Sequence, residues 1–343
     1  MHTGIFDPID PQHDGKIVTH LSLPYSIDRS PYFQIKIPIC HVRNGDGPRV
    51  LLTAGNHGDE YEGELTLLKL IQRLEPATIR GTVTIIPAVN LPAVMAARRR
   101  SPFDDGNLNR AFPGNPTGTP TERIAHFIET NLVPRHDIMF DLHSGGTSMA
   151  HLPCALIERY DDPELHAKSV AAMRALGMAY GFIANNGPDT PTSIGAAFRA
   201  GIPSISGEFG GGATVTPETM RLTGEAVDRF LMDQGIVGRP VLVPDATPSD
   251  ETILLGLDRQ SLFVYALREA WFEPAVELGD RVEADQIAGW LHDLKDVTRP
   301  ADELRFEEGG IVLALRLHTH CQAGDCLLAV GRFLSDQLTS ASA

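Results

Sequence analysis

Apolar and polar residues along the chain form two recurring patterns. Short apolar runs bounded by glycine or polar residues predict buried β-strands, whereas apolar residues three and four positions apart predict helices with one buried face. The two patterns alternate over most of the chain, which is typical of an α/β fold with a mostly parallel sheet flanked by helices. The predicted strands lie at 50–54, 82–89, 136–143, 153–158 and 203–209, and the predicted helices at 65–74, 119–132, 161–177 and 216–235.

A leucine-rich segment follows the first predicted strand and its loop. Its apolar residues recur at a spacing that suits a helix packed against a sheet. We therefore expect one broad buried face, formed by Leu65, Leu67, Leu68, Leu70, Ile71 and Leu74.

The pattern changes near residue 245, beyond which short β-like runs alternate with turn signals. A chain of 343 residues exceeds one average domain, so a large and a smaller domain form the simplest organisation. We predict a larger α/β domain at 1–244 and a small β domain at 245–335, followed by a polar tail that ends in SASA. Roughly the first 45 residues, which are rich in proline, could pack outside the rest of the larger domain.

Composition excludes several classes of partner. The chain has 29 basic and 44 acidic residues, and its net charge of −15 argues against binding to nucleic acid or to an anionic membrane. The longest apolar stretch, 83–97, is too short to cross a bilayer and contains two prolines. The N-terminus lacks the pattern of a secretory signal, and the four cysteines are too scattered for a disulfide scaffold. We expect a reduced, cytoplasmic enzyme.

Ionisable residues follow two of the predicted strands. His57 and Glu60 come after the strand at 50–54 and its turn, and His143 ends the strand at 136–143. Open α/β sheets hold ligands at the carboxyl ends of their strands, and a catalytic zinc site uses three nitrogen or oxygen ligands. The pattern predicts a zinc site, although each residue could instead be a polar loop residue. Asp141 lies on the same strand face as His143 and could orient an imidazole.

Two similar patterns favour structure over chemistry. His126 and Glu129 have the same spacing as the candidate pair, but they lie in the middle of a predicted helix and indicate a solvated face. In the stretch HTHCQAGDC, strand alternation places His318 and His320 on one face and Cys321 on the other. The QAGD segment then predicts a hairpin turn rather than a second zinc site.

A hydrolase of this kind also needs a base and cationic groups. Glu208 ends a predicted strand and precedes three glycines, so its carboxylate could act as the base for an attacking water, or could form a salt bridge at the strand end. Basic runs are usually solvated, but RRRSPFDDGNLNRAFPG follows a buried strand in an acidic chain. At least one arginine of this stretch is therefore a candidate for binding an anion or polarising a carbonyl. The stretch contains Arg98, Arg99, Arg100 and Arg110.

Together these blocks resemble the succinylglutamate desuccinylase/aspartoacylase family, whose members are zinc amidohydrolases related to the zinc carboxypeptidases. The blocks are GNHGDEYEG, NLPAVMAARRRSP with DGNLNRAFPG, DLHSGG and GEFGGG, in the family's order across nearly the whole chain. The resemblance implies a zinc-carboxypeptidase-like fold, a catalytic domain at 1–244 and one Zn²⁺ per chain. By this resemblance the zinc ligands are His57, Glu60 and His143. Glu208 is then the general base, and Arg99 stabilises the oxyanion. The substrate carboxylate is bound by Asn109 and Arg110. The chain departs from aspartoacylase at Asn107, where that enzyme has an aspartate.

Within the family, NGDGP, DEYEG and EFGGG are most similar to the bacterial N-acetyl-2,4-diaminobutyrate deacetylases of ectoine breakdown. The implied substrate is a small N-acetylated amino acid with an α-carboxylate and a side-chain ammonium. No carboxylate in the motifs stands out as the group that binds the ammonium. The alternatives are deacylation of another amino acid, a carboxypeptidase, or a zinc-binding scaffold without turnover. The sequence leaves open whether the α- or γ-acetyl group is removed, and whether the protein is a homo-oligomer.

Overall fold

The protein is described by a computed structural model that covers residues 4–187, 189–244 and 251–334. A large mixed sheet carries helices on both faces, and a smaller antiparallel sheet lies in the C-terminal region. The predicted fold class is therefore confirmed. The start of the predicted C-terminal domain at 245 and the SASA tail lie outside the described residues. None of the described helices combines the length and the apolar character that crossing a membrane requires.

The strands and helices have the following bounds. The strands are β1 (Gly15–Pro24), β2 (Gln34–Asn44), β3 (Arg49–Ala54), β4 (Gly81–Ile86), β5 (Ile138–His143), β6 (Met149–His151), β7 (Cys154–Glu158), β8 (Tyr180–Ala184), β9 (Ser204–Glu208), β10 (Ile253–Leu257), β11 (Phe263–Tyr265), β12 (Ala270–Pro274), β13 (Arg281–Val282), β14 (Ile287–His292), β15 (Asp302–Arg305), β16 (Gly310–Arg316), β17 (His320–Cys321) and β18 (Cys326–Phe333). The α-helices are α1 (Tyr61–Arg73), α2 (Leu91–Met95), α3 (Pro120–Phe127), α4 (Pro163–Ala175), α5 (Ser193–Arg199) and α6 (Pro217–Asp233).

The centre of the large sheet is parallel. Its order is β1-β2-β4-β3-β5-β9-β7-β8-β10-β18-β16-β13, and β4, β3, β5 and β9 all run in the same direction. The next strand, β7, runs antiparallel to β9, and β8 and β10 run parallel to β7. The carboxyl ends of β3, β5 and β9 therefore meet at one edge of the sheet, where open α/β sheets hold ligands.

Alternating residues of the central strands belong to two hydrophobic cores. Leu52 and Phe140 lie in the core that α1 and α6 cover, whereas Leu51 and Met139 lie in the core on the α3 side. Burial on both faces explains why these strands are continuous apolar runs in the sequence.

The buried face of α1 is narrower than the leucine pattern predicts. Leu67, Leu70 and Leu74 are fully buried, but Leu65 and Leu68 remain 39% and 44% exposed. The prediction of one broad leucine face is therefore wrong for these two residues. At about 100° per residue, positions 65 and 68 point away from the stripe that packs on β3 and β5.

Strands from the N-terminal and the C-terminal regions both join the large sheet. The N-terminal strands β1 and β2 form its edge, and β2 pairs with β4. In the C-terminal region β10 pairs with β8, and β18 then pairs with β10 and β16. The separate smaller sheet has the order β15-β14-β12-β17. The division into domains at 1–244 and 245–335 stays a prediction.

Candidate metal centre and active site

Two neighbouring parallel strands bring His57, Glu60 and His143 together. His57 and Glu60 lie in the loop between β3 and α1, which begins with Gly55 at φ +75°, a backbone conformation that favours glycine. His143 is the last residue of β5. The ligand atoms of the three residues lie within 4.8 Å of one another, and all three side chains are buried. Within the described ranges, no other group of three His, Cys, Asp or Glu residues has this geometry, including the histidines and cysteines at 318–326.

The hydrogen bonds give each imidazole one inner and one outer nitrogen. Nδ1 of His57 lies 2.6 Å from Oε1 of Glu60, and Nδ1 of His143 lies 2.9 Å from Oε2. On the outer side, Nε2 of His57 donates to Oδ1 of Asn107 at 3.1 Å, and Nε2 of His143 donates to Oδ2 of Asp141 at 2.9 Å. Because the outer nitrogens donate, the inner Nδ1 lone pairs are available to a metal ion.

The charges of this group favour a cation between the three side chains. Burial lowers the pKa of His143, but the carboxylates of Asp141 and Glu60 outweigh burial and raise it well above its usual value. Burial also raises the pKa of Glu60, but the imidazoles of His57 and His143 hold it below its usual value. A divalent cation would supply the positive charge that these carboxylates stabilise, so two imidazoles and one carboxylate fit a metal such as zinc.

The Asp141 carboxylate is fully buried and held from several sides. It accepts hydrogen bonds from Oγ1 of Thr53 and Nδ2 of Asn56, both at 2.7 Å, and from the hydroxyl of Ser193. Together with the bond from His143, these contacts fix the carboxylate in one position. The prediction that Asp141 orients an imidazole agrees with this geometry.

Asn107, which stands where aspartoacylase has an aspartate, contacts His57 in this chain. Its Oδ1 faces Nε2 of His57 and orients that ring as Asp141 orients the ring of His143. An amide oxygen accepts the same hydrogen bond as a carboxylate but adds no negative charge.

The three consecutive arginines have different surroundings. Arg98 and Arg100 both form ion pairs with Asp105, which is not part of the metal group. The distance from Arg98 to Asp105 is 3.5 Å. Nη1 of Arg99 instead lies 3.5 Å from Oε1 of Glu60. Of the three, the middle arginine is the one whose guanidinium faces the candidate site.

Asn109 and Arg110 place two further donors beside Arg99. Oδ1 of Asn109 accepts from the backbone nitrogen and the hydroxyl of Ser193, at 2.9 and 3.3 Å, which leaves its Nδ2 free to donate. Arg110 forms no ion pair with any residue that the structure describes. Partial burial and the positive charge of Arg99 lower the pKa of Arg110. A negatively charged ligand would relieve this repulsion.

Glu208 ends β9 directly beside His143 of β5. Its Oε2 is buried and has no hydrogen-bond partner among the described residues, and no described cation pairs with it. The salt bridge considered for this strand end is therefore not found there. A carboxylate oxygen without a partner next to the metal group is available to accept a proton.

All seven candidate residues line one cavity of about 440 Å³. The predicted residues are His57, Glu60, Arg99, Asn109, Arg110, His143 and Glu208. The cavity also has a wall that our sequence reasoning missed, formed in part by Leu156, Glu158, Phe182, Asn186 and Phe263. Glu158 lies at the end of a predicted strand, as Glu208 does, and this position is the sequence signal from which Glu158 could have been found.

The pair with the same spacing, His126 in α3 and Glu129 in the π-helical turn that follows it, does not line this cavity. Glu129 binds Arg199 of α5 at 2.8 Å, and its side chain is only 13% exposed. The prediction of a solvated face is therefore wrong for Glu129. His126 is half-buried on α3.

We predict that Asp141→Asn lowers the affinity for Zn²⁺ by roughly 10- to 100-fold, the usual effect of losing a hydrogen-bond partner of a metal-binding histidine. The amide can no longer accept from all four donors that hold the carboxylate. Competition with a chelating dye measures the affinity. Asp137→Asn is the matched control, because Asp137 precedes the same strand but pairs with Arg49 at the surface. Equal affinities in wild type and Asp141→Asn would contradict the role of Asp141.

Comparison with known proteins agrees with the resemblance seen in the motifs. The succinylglutamate desuccinylase/aspartoacylase catalytic domain matches residues 46–233. The N-alpha-acetyl-L-2,4-diaminobutyric acid deacetylase of Halomonas elongata is 36% identical over 322 residues, which cover 94% of this chain and 93% of that protein.

Two solved structures of relatives have the same fold. A succinylglutamate desuccinylase/aspartoacylase from Rhodobacter sphaeroides superposes with a TM-score of 0.91 at 33% identity, over 97% of this chain and 100% of that one. The product-bound ectoine utilization protein EutE (DoeB) from Ruegeria pomeroyi superposes with a TM-score of 0.90 at 31% identity and the same coverage. The predicted family is thus confirmed: the chain belongs to the succinylglutamate desuccinylase/aspartoacylase family.

Proposed function

We propose that this protein is a zinc-dependent deacetylase that converts Nα-acetyl-L-2,4-diaminobutyrate to L-2,4-diaminobutyrate and acetate, a reaction of ectoine breakdown. One observation carries the chemistry: a group that could bind a metal shares one cavity with a Glu208 oxygen and an Arg110 guanidinium, neither of which has a partner of opposite charge among the residues that the structure describes. The relationship to the Halomonas elongata deacetylase supports the choice of substrate.

His57, Glu60 and His143 would hold the metal ion through the two Nδ1 atoms and the carboxylate. Two nitrogens and one carboxylate form a ligand set that catalytic zinc uses, with a position left open. When bound, zinc polarises the amide carbonyl and makes a water molecule more acidic.

Glu208 would transfer both protons of the attacking water to the leaving nitrogen. Its buried oxygen first takes a proton from the attacking water, as a new C–O bond forms at the acetyl carbon. It then gives that proton to the amide nitrogen as the C–N bond breaks, and passes the second proton of the water from the new carboxyl group to the released amine, which leaves acetate and an ammonium group.

Two arginines would bind the negatively charged groups of the substrate. Arg99, which lies beside Glu60, donates to the carbonyl oxygen as its negative charge develops. Arg110 and Nδ2 of Asn109 bind the α-carboxylate and hold the amide next to Glu208.

We predict that the zinc-loaded protein releases acetate from Nα-acetyl-L-2,4-diaminobutyrate and leaves dipeptides intact. Products are followed by NMR with a panel that also contains Nγ-acetyl-2,4-diaminobutyrate, N-acetylaspartate and succinylglutamate. Efficient hydrolysis of one of the last two would identify a deacylase of another amino acid. Cleavage of dipeptides would identify a carboxypeptidase, and an absence of turnover with bound zinc would identify a scaffold protein.

We expect Glu208→Gln to retain zinc but to lower kcat by at least roughly 100-fold, the scale of general acid–base catalysis. The amide cannot accept the proton of water, although it keeps the size of the side chain. Metal analysis of the same preparation separates this effect from zinc loss, which we expect instead for His57→Ala. Normal turnover in Glu208→Gln would rule out Glu208 as the base.

Arg99→Gln should lower kcat about 100- to 1000-fold, the usual effect of removing one donor to a developing oxyanion. The neighbouring arginines provide matched controls in the same segment, because Arg98 and Arg100 pair with Asp105 instead of facing Glu60. We expect Arg98→Gln and Arg100→Gln to stay close to wild-type kcat. A comparable loss of kcat in all three variants would contradict the specific role of Arg99.

A further inference from the structure

Glu158 is a buried carboxylate on the wall of the active-site cavity, opposite in charge to Arg99 and Arg110. It ends β7 and is 5% exposed. Its Oε1 accepts from Nδ2 of Asn186 at 2.6 Å, and its Oε2 accepts from the Asn186 backbone nitrogen at 3.0 Å. Burial raises the pKa of Glu158 despite these hydrogen bonds.

Glu158 has no cationic partner in the ranges that the structure describes. A buried carboxylate without a counter-ion is costly because burial disfavours its charged form, and a cationic ligand would offset this cost. Each carboxylate oxygen can accept more than one hydrogen bond, so the contacts with Asn186 leave capacity for a donor from the cavity.

Strand pairing places Glu158 at a defined distance from Glu208. In the antiparallel pair of β7 and β9, Cys154 lies opposite Glu208 and Leu156 lies opposite Ser206. Paired residues share a sheet face, so Glu158 is on the same face as Glu208 but four residues further along β7. At the rise of a β-strand this is a separation of about 13 Å between the two backbone positions.

The substrate has a length that suits this separation. Five covalent bonds join the acetyl carbon of Nα-acetyl-2,4-diaminobutyrate to its side-chain nitrogen, which makes about 6 Å in an extended chain. The separation of about 13 Å exceeds this length by an amount that two glutamate side chains leaning along their strands can span. The wall between them contains apolar side chains, among them Leu156 and Phe182, that suit the methylene groups of the substrate.

We propose that Glu158, held in place by Asn186, binds the side-chain ammonium of the substrate and thereby selects cationic N-acyl amino acids over neutral or anionic ones. This inference rests on the proposed function. It assigns the ammonium-binding group that the motifs do not contain.

The test compares Nα-acetyl-L-2,4-diaminobutyrate with N-acetyl-L-norvaline, in which a methyl group replaces the ammonium. The preference for the ammonium substrate is measured as the ratio of the two kcat/KM values. We expect Glu158→Gln to lower this ratio about thirtyfold, mostly because KM for the ammonium substrate rises. Glu158→Asp keeps the charge and should retain the order of preference. Glu277→Gln, at an exposed carboxylate far along the chain, should leave the ratio unchanged.

A second measurement uses the wild-type protein alone. Inhibition by L-2,4-diaminobutyrate should be at least tenfold stronger than inhibition by L-norvaline, so the inference can be tested even if the Glu158 variants do not fold. An equal loss on both acetylated substrates, an unchanged ratio in Glu158→Gln, or equal inhibition by the two products would overturn the role of Glu158. Each of these results is compatible with a working deacetylase. A wild-type enzyme that releases no acetate from the ammonium substrate would instead overturn the proposed function, and this inference with it.

Discussion

The buried carboxylate of Asp141 is the contact on which the candidate site depends. It joins β3 through Thr53, the following loop through Asn56, and α5 through Ser193, while it orients the ring of His143. A fully buried carboxylate is tolerated only where hydrogen bonds replace its water, and here the donors come from β3, the loop that follows it, α5 and His143 of β5 itself. Stability and ligand geometry are therefore coupled at one side chain.

Parallel strand pairing brings the candidate site residues together around this carboxylate. The pairing of β3 with β5 and of β5 with β9 places the loop after β3, His143 and Glu208 at one sheet edge. These three strands are neighbours in the sheet but not consecutive in the chain, so the candidate metal ligands and Glu208 come from segments far apart in sequence. Rigid strands buried on both faces hold such groups more accurately than mobile loops can.

Much of this edge could be predicted from the sequence because strand ends leave a local signal: an apolar run, an ionisable residue and then glycine. That signal identifies His57, His143 and Glu208. The choice of Arg99 among three arginines came from family spacing, and it agrees with the different contacts of its neighbours. Glu158 also ends an apolar strand, but no glycine follows it, and it could not be placed because the antiparallel pairing of β7 with β9 is a long-range contact.

The charge distribution within the cavity says more about the substrate than the net charge of the chain. Arg99 and Arg110 lie near the metal group, whereas the buried Glu158 lies along the sheet face from it. With a divalent cation bound, Arg99 and Arg110 would make one end of the cavity positive despite Glu60 and Glu208, whereas Glu158 makes the other end negative. Such a cavity would be complementary to a molecule that carries a carboxylate and an ammonium. An acylated amino acid with two carboxylates would bring like charges together at Glu158, a cost that grows where water is excluded. Selectivity among the family's substrates can therefore reside in one wall of the cavity, while the metal group and the base stay the same.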